Sequence, residues 1–329
     1  MNSLYGLLQE AIKYNATDIH INSKIYLRIN KQLFAYQTNH ASEANYIESL
    51  KNTLCALLHR ESYYNEVSET FSICPHETDS ASITQQKTSS PIKCRVTAFL
   101  QNNNLCFALR LLRTKIPSLE ELHAPKVLHN LALQESGLIL VCGATSSGKS
   151  TTIAAMIEHI NTYTRKHILT LEDPIEYNYT NALSCITQRE IKTDSKDFHT
   201  ALLSSLRQDP DVIVIGEILE KEVLKQAINH ALSGHLVIAS FHARNAVHAV
   251  SRILGMCQNE GNIHANLADS LQSIITQKLY EKEQKLQADY QVLVTNPAVQ
   301  TLIKENQIQQ LDSQISMGKE FGMQHFMQK

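Results

Sequence analysis

The stretch VCGATSSGKSTT, residues 141–152, decides how this chain is read. Residues 143–150 satisfy the pattern G-x-x-x-x-G-K-[ST] in full. The flanks agree with it: LILVC before the loop is an apolar strand, and STTIAAMIEHI after it is a helix. In such a loop the glycines let backbone N–H groups turn inward around phosphate oxygens. The helix N-terminus adds partial positive charge. Lys149 is expected to reach the β- and γ-phosphates, and the Ser150 hydroxyl to bind Mg2+. The expected nucleotide-binding set is Gly143, Thr145, Ser146, Ser147, Gly148, Lys149, Ser150 and Thr151.

Working outward, three more strand ends carry chemistry. In DPDVIVIGE, 209–217, a buried strand ends just before Glu217, a carboxylate suited to ordering a Mg2+ shell or an attacking water. In LTLEDPIEY, 169–177, a strand ends in Glu172, Asp173 and Glu176, a cluster whose repulsion a shared cation would relieve. Alone it reads equally well as a solvated loop. In GHLVIASFHARNA, 234–246, a strand delivers His242 to the same kind of position, suited to reporting on the γ-phosphate or shuttling a proton. Apolar runs at 138–142, 167–171, 212–215 and 236–240 alternate with helical patterns, which predicts a parallel sheet covered on both faces. Ligands bind such sheets at the carboxyl ends of the strands.

The chain has 329 residues, enough for two domains with real cores. A net charge of −2 argues against a protein built to coat nucleic acid. The N-terminal residues lack the basic start and long apolar run of a secretory signal. No segment approaches the ~18 to 20 apolar residues of a membrane span. Seven cysteines with no C-x-x-C pair predict reduced thiols and neither a zinc site nor a disulfide framework. Cys94 and Cys106 are placed to face each other on a hairpin or, more simply, to serve as small core residues.

The first 113 residues have a different texture. Leu4, Leu7, Leu8, Ala11 and Ile12 predict one apolar helix face over 3–14. Short strands over 18–21 and 25–29, a turn at Asn30–Lys31 and a helix over 43–59 follow. The polar segment 75–90 reads as a mobile loop, and IKCRVTAF and LCFALRLL flank QNNN as a hairpin. The predicted organisation is an α+β domain over 1–113, a linker over 114–124 and an α/β nucleotide-binding domain over 125–329. From about 264 that domain is expected to be helical throughout, apart from a short run at Gln291–Val294.

The four strand-end motifs, in this order and at these intervals, resemble the Walker A, Asp, Walker B and His boxes of the secretion-ATPase superfamily of type IV pilus and type II secretion systems. Ala16-Thr-Asp-Ile-His20 is similar to that family's opening motif, IKCRVTAFLQNNN to its F-R-V-N-x-F-x-Q stretch, and IPSLEEL to its linker. NPAVQTLIKE, 296–305, and GKEFGMQHFMQ, 318–328, resemble signatures of the pilus-retraction, PilT-like branch. The resemblance implies a RecA-like P-loop core after a PAS-like N-terminal domain, and an ATPase using ATP and Mg2+. It implies a homohexamer on the cytoplasmic face of the bacterial inner membrane, acting on a pilus platform protein beside a partner extension ATPase. Direct nucleic-acid binding is not expected. It also implies that Arg95, Arg110 and Arg207 complete the phosphate site, that Glu176 and Glu217 are the catalytic and metal-supporting carboxylates in either order, and that Asp173 and His242 keep their box roles.

Several positions depart from the family pattern. Ala144 and Ser146 replace Pro and Gly in the loop, and Ser146 is strained if its position needs φ > 0. ILEKE follows Gly216-Glu217 where an Arg-Asp pair is usual, Leu203 stands where a second helix arginine often sits, and Gln300-Thr301 replaces Arg-Asn. Two alternatives therefore stand beside retraction. One is a traffic ATPase for pilus extension, type II secretion or DNA uptake. The other is a weakly hydrolysing regulatory subunit.

Overall fold

The structure, a computed structural model, describes residues 4–30, 32–38, 42–59, 67–73, 92–111, 115–258, 260–282 and 285–327. It divides into two compact units, Met1–Thr114 and Lys115–Lys329. The polar loop expected over 75–90, together with Lys31 and Cys74, lies outside the described residues.

In the first unit the order is α1 (Leu4–Lys13), β1 (Asp18–Ile21), β2 (Ile25–Ile29), β3 (Gln32–Ala35), α2 (Glu43–Leu58), β4 (Val67–Ile73), β5 (Ile92–Gln101) and β6 (Asn104–Leu111). The strands pair antiparallel in the order β3-β2-β1-β6-β5-β4. Strict alternation along β5 buries Ile92, Cys94, Val96 and Ala98 on one face. Leu4, Leu7, Leu8 and Ala11 of α1 and Leu50, Leu54 and Leu58 of α2 join them in one core. Ile12 does not share that face: it is 47% exposed, because one position beyond Ala11 turns it about 100° away. The β5–β6 register sets Cys94 opposite Leu111 and Cys106 opposite Phe99, so the two thiols do not face each other. The cysteines among the described residues are free.

The second unit contains α3 (Val127–Ala132), β7 (Gly137–Cys142), α4 (Lys149–Tyr163), β8 (His167–Glu172), β9 (Cys185–Glu190), α5 (Phe198–Ser205), β10 (Val212–Ile215), α6 (Lys221–Leu232), β11 (Leu236–Phe241), α7 (Ala246–Met256), α8 (Ile263–Ser270), β12 (Leu271–Lys282), β13 (Lys285–Val294), α9 (Pro297–Lys304) and α10 (Leu311–Met317). Its seven-stranded sheet runs β13-β12-β7-β11-β10-β8-β9, parallel except for the β12–β13 hairpin. Leu138, Leu140 and Cys142 of β7 enter one core with α5, α6 and α7, while Ile139 and Val141 enter the opposite core with α3 and α4. That two-sided burial makes the strand sequences continuously apolar. The expected linker is not a free tether: Leu119 is buried with Leu128 and Leu131, and Ser118 and Glu121 exchange main-chain to side-chain hydrogen bonds as in a capping box.

The expectation of an all-helical segment from 264 is corrected here. Leu271–Lys282 and Lys285–Val294 form the antiparallel pair β12–β13, which adds two strands to the sheet; helices occupy the stretches before and after it. Beside β7, β12 is covered on both faces, so Leu271 and Ser273 through Gln277 are all buried and no period of two shows in the sequence. Beyond α10 the chain returns to this hairpin. Val292 and Gln324 exchange both main-chain hydrogen bonds, and Lys278 lies over the Phe326 ring at 3.7 Å.

Candidate active site

The nucleotide-loop motif occupies the turn between β7 and α4. Gly148 caps α4 at φ 89°, where an L side chain is strained. A Cβ on it would lie 2.7 Å from Gln277 Nε2, and one on Gly143 would lie 2.6 Å from the Gln277 carbonyl oxygen. The loop is thus drawn tight against β12, and only glycine fits at these two points. Ser146 holds φ 59°, the left-handed conformation in which a serine is strained.

Lys149 is 8% exposed, and its Nζ donates to the carbonyls of Gly143 (3.2 Å) and Ala144 (2.9 Å). Burial pushes its pKa down, and the carboxylates of Glu217 and Glu176 oppose that shift. The Ser147 Oγ is buried without a hydrogen-bond partner. A buried ammonium on neutral carbonyls, an unpartnered hydroxyl and the free N–H groups of a helix start all suit an anion with several oxygens. The loop therefore fits a nucleotide's phosphates. Thr145, Ser146 and Ser150 are solvent-exposed, while Thr151 shares a 2.9 Å hydrogen bond with the Tyr177 hydroxyl.

Three adjacent strands bring the other groups to the same end of the sheet. Gly216 follows β10 with its N–H on the Leu171 carbonyl, and its own carbonyl accepts from Ser240 Oγ at 2.5 Å. Ile218 N–H then bonds the Ser240 carbonyl. These main-chain ties to β8 and β11 fix Glu217, whose carboxylate is hydrogen-bonded to His242 Nε2. His242 follows β11, and its carbonyl accepts from Arg252 of α7, which also lies over the Phe241 ring at 4.9 Å. Arg252 was not visible as a partner from sequence, because it lies a helix away from the motif.

At the end of β8, Glu172 and Asp173 have separate partners. Glu172 accepts from Thr170 Oγ1 at 2.7 Å, and burial pushes its pKa up. The Asp173 carboxylate pairs with Lys192 at 2.7 Å. Glu176 is exposed, on a segment anchored by hydrogen bonds from Ile175 N–H to Glu190 and from Gln188 to the Tyr177 carbonyl. Among the described residues no cluster of three or more His, Cys, Asp and Glu side chains gathers as a metal cage.

Arg207 is exposed just after α5, as are Leu206 beside it and Leu203 within the helix. Arg95 and Arg110 belong to the first unit and stand directly opposite each other on β5 and β6. Arg110 pairs across β1 with Asp18, which in turn pairs with Arg28 of β2. One row across four strands thus reads Arg28, Asp18, Arg110, Arg95, on the face away from the core. Arg110 Nε lies 3.0 Å and Arg28 Nε 3.8 Å from Asp18, and Arg95 donates to Ser68 Oγ at 2.9 Å.

Among relatives, the uncharacterized protein YggR of Escherichia coli K12 is 43% identical over 239 residues, covering 72% of this chain and 73% of YggR. The type IV pilus ATPase PilU of Pseudomonas aeruginosa PAO1 is 39% identical over 238 residues, covering 71% of this chain and 62% of PilU. The crystal structure of the pilus retraction motor PilT with bound ADP superposes with a TM-score of 0.79 at 31% identity, covering 96% of this chain and 90% of that one. No helix among the described residues is long and apolar enough to cross a membrane. With residues 2–320 matching the family of Type II/IV secretion system proteins, over the same fold and strand-end motifs, the chain belongs to that family.

Proposed function

We propose that this chain is a motor ATPase that couples Mg-ATP hydrolysis to retraction of a type IV pilus. In this reading it works as a homohexamer at the cytoplasmic face of the inner membrane, against a platform protein there. The observation that carries the reading is the convergence of Lys149, Glu217 and His242 at the carboxyl ends of the neighbouring strands β7, β10 and β11. The likeness to PilU and to the retraction motor PilT supports the pilus as the object of the work.

Gly143 to Thr151 would hold the phosphates, with Lys149 leaving its carbonyl partners for phosphate oxygens. Ser150 and Glu217, with Asp173, would hold Mg2+ directly or through water, and the ion would offset charge on the phosphates. Glu217 or Glu176 would orient a water and accept its proton. His242, bonded to Glu217, would hold that carboxylate in place and share the proton. Arg95, Arg110 and Arg207 would supply the remaining positive charge at the phosphates. Such catalysis needs positioning and charge more than covalent chemistry.

Purified protein should release phosphate from ATP only with Mg2+, and Lys149→Ala should reduce release to background. Intact turnover in a contaminant-free Lys149→Ala preparation overturns the reading. A second reading, a traffic ATPase for assembly or secretion, follows from the breadth of the matched family. A deletion strain separates the two: surplus non-retracting pili mark retraction, and absent pili mark assembly.

A further inference from the structure

We infer that Gln277, on β12, is a positioning residue that sets the width of the nucleotide loop. The inference rests on reading that loop as the ATP site. Gln277 is 3% exposed and lies just past Thr276, which pairs with the last residue of β7, Cys142. It therefore stands level with the start of the loop. A Cβ on Gly148 would lie 2.7 Å from its side-chain Nε2, and one on Gly143 would lie 2.6 Å from its main-chain oxygen as well as against Ser147 Oγ. Its Oε1 accepts from Thr152 Oγ1 in the first turn of α4 at 2.7 Å. Gln277 thus lies against both ends of the loop, by its main chain near Gly143 and by its side-chain amide near Gly148, and that amide also holds the helix that the loop feeds.

The cross-strand partner of Gln277 reinforces the grip. Tyr290 of β13 is paired with Gln277, and its hydroxyl lies 3.4 Å from the same Thr152 oxygen. The hairpin therefore presents two side chains to one threonine. Thr152 is fully buried, so no water substitutes for the lost partner if Gln277 is shortened to an apolar group. Leucine keeps the bulk but neither accepts from Thr152 nor presents an amide to Gly148. Freed from this contact, the loop samples wider shapes, and its N–H groups meet phosphate oxygens less often in the productive geometry.

The test uses the full chain and two variants, Gln277→Leu and Thr152→Val. Hydrogen exchange of residues 143–152 in nucleotide-free protein reads loop order. Titration with a fluorescent ATP analogue and Mg2+ reads affinity. Gln277→Leu should speed exchange at 143–148, leave the first unit unchanged and raise Kd about tenfold. Thr152→Val should raise Kd about threefold, and the double variant should be no worse than Gln277→Leu alone, because both remove one contact. If both variants bind within about twofold of the parent and exchange at 143–152 is unchanged, the inference is overturned. Should Gln277→Leu fail to fold, Thr152→Val decides by the same two readouts. A parent protein that retains no ATP defeats the ATP reading, while loop exchange in the free protein still tests Gln277.

Discussion

Lys149 and the arginine row of the first unit carry positive charge in contrasting settings. Lys149 is enclosed by its own loop, turned onto neutral carbonyls and pushed down in pKa by burial. The arginine row on the first unit lies on an open sheet face, with Arg110 67% exposed at the side chain and Asp18 between two of its members. The first setting is preorganised: its cation gains on meeting an anion because water is already excluded. The second is solvated and partly neutralised, so as a surface cluster it contributes little to stability, about 0 to 1 kcal/mol per pair. Three arginines in one row, two of them directly opposed, are not explained by folding. The role proposed for Arg95 and Arg110 at the phosphates would supply a reason, and its magnitude is measurable.

The largest effect tests the enclosed cation. Lys149→Ala should abolish ATP retention and turnover, as measured by nucleotide titration and phosphate release. Next comes the exposed row. Arg110→Ala should lower kcat by about 10³ while leaving Tm nearly unchanged, the pattern of a charge used only at the phosphates. A normal kcat in this variant would break the comparison by returning the row to a solvated surface. Glu217→Gln should retain ATP binding and lower kcat by about 10² if Glu217 rather than Glu176 accepts the proton, since it keeps the shape but loses the carboxylate. Smaller still, Ser146→Gly should raise stability by about 1 kcal/mol in a melting experiment by relieving the left-handed serine. The least effect belongs to an exposed carboxylate. Hydrogen bonds from Ser118, its own backbone and His129 hold Glu120 down to about 2. Because its folded pKa is depressed, its stabilisation is present above about pH 4.5 and is lost as pH falls toward 2. Glu120→Gln should lower Tm slightly at neutral pH, where that stabilisation is present, and remove its decline as pH falls from about 4.5 toward 2.

The four strand-end motifs were legible because the chemistry of a phosphate site fixes residue types within a few positions of each strand. β7, β8, β10 and β11 were legible for a related reason, since two-sided burial writes them as mainly apolar runs with at most a few polar residues. The same burial hid β12, whose serine, threonine and glutamine interrupt the run and whose partner strand lies far back in the chain. Gln277 was lost with it: its bond to Thr152 spans 125 positions, and no local pattern signals a contact of that kind. β9 escaped notice as a polar edge strand, CITQRE, none of whose residues is fully buried. Asp173 illustrates another limit. The motif shows a carboxylate, but the ion pair to Lys192 depends on how the segment after β9 turns.

The return of residues 324–327 to β13 has a consequence for handling the protein. Without that segment, β13 would offer an unshielded ladder of N–H and C=O groups at the border of a seven-stranded sheet, an invitation to strand-swapping between molecules. Two backbone bonds at Val292 and an aromatic ring under Lys278 act as a selvedge on that border. Trimming the chain at Gly322 should therefore produce a protein that clumps on concentration while its soluble fraction still folds.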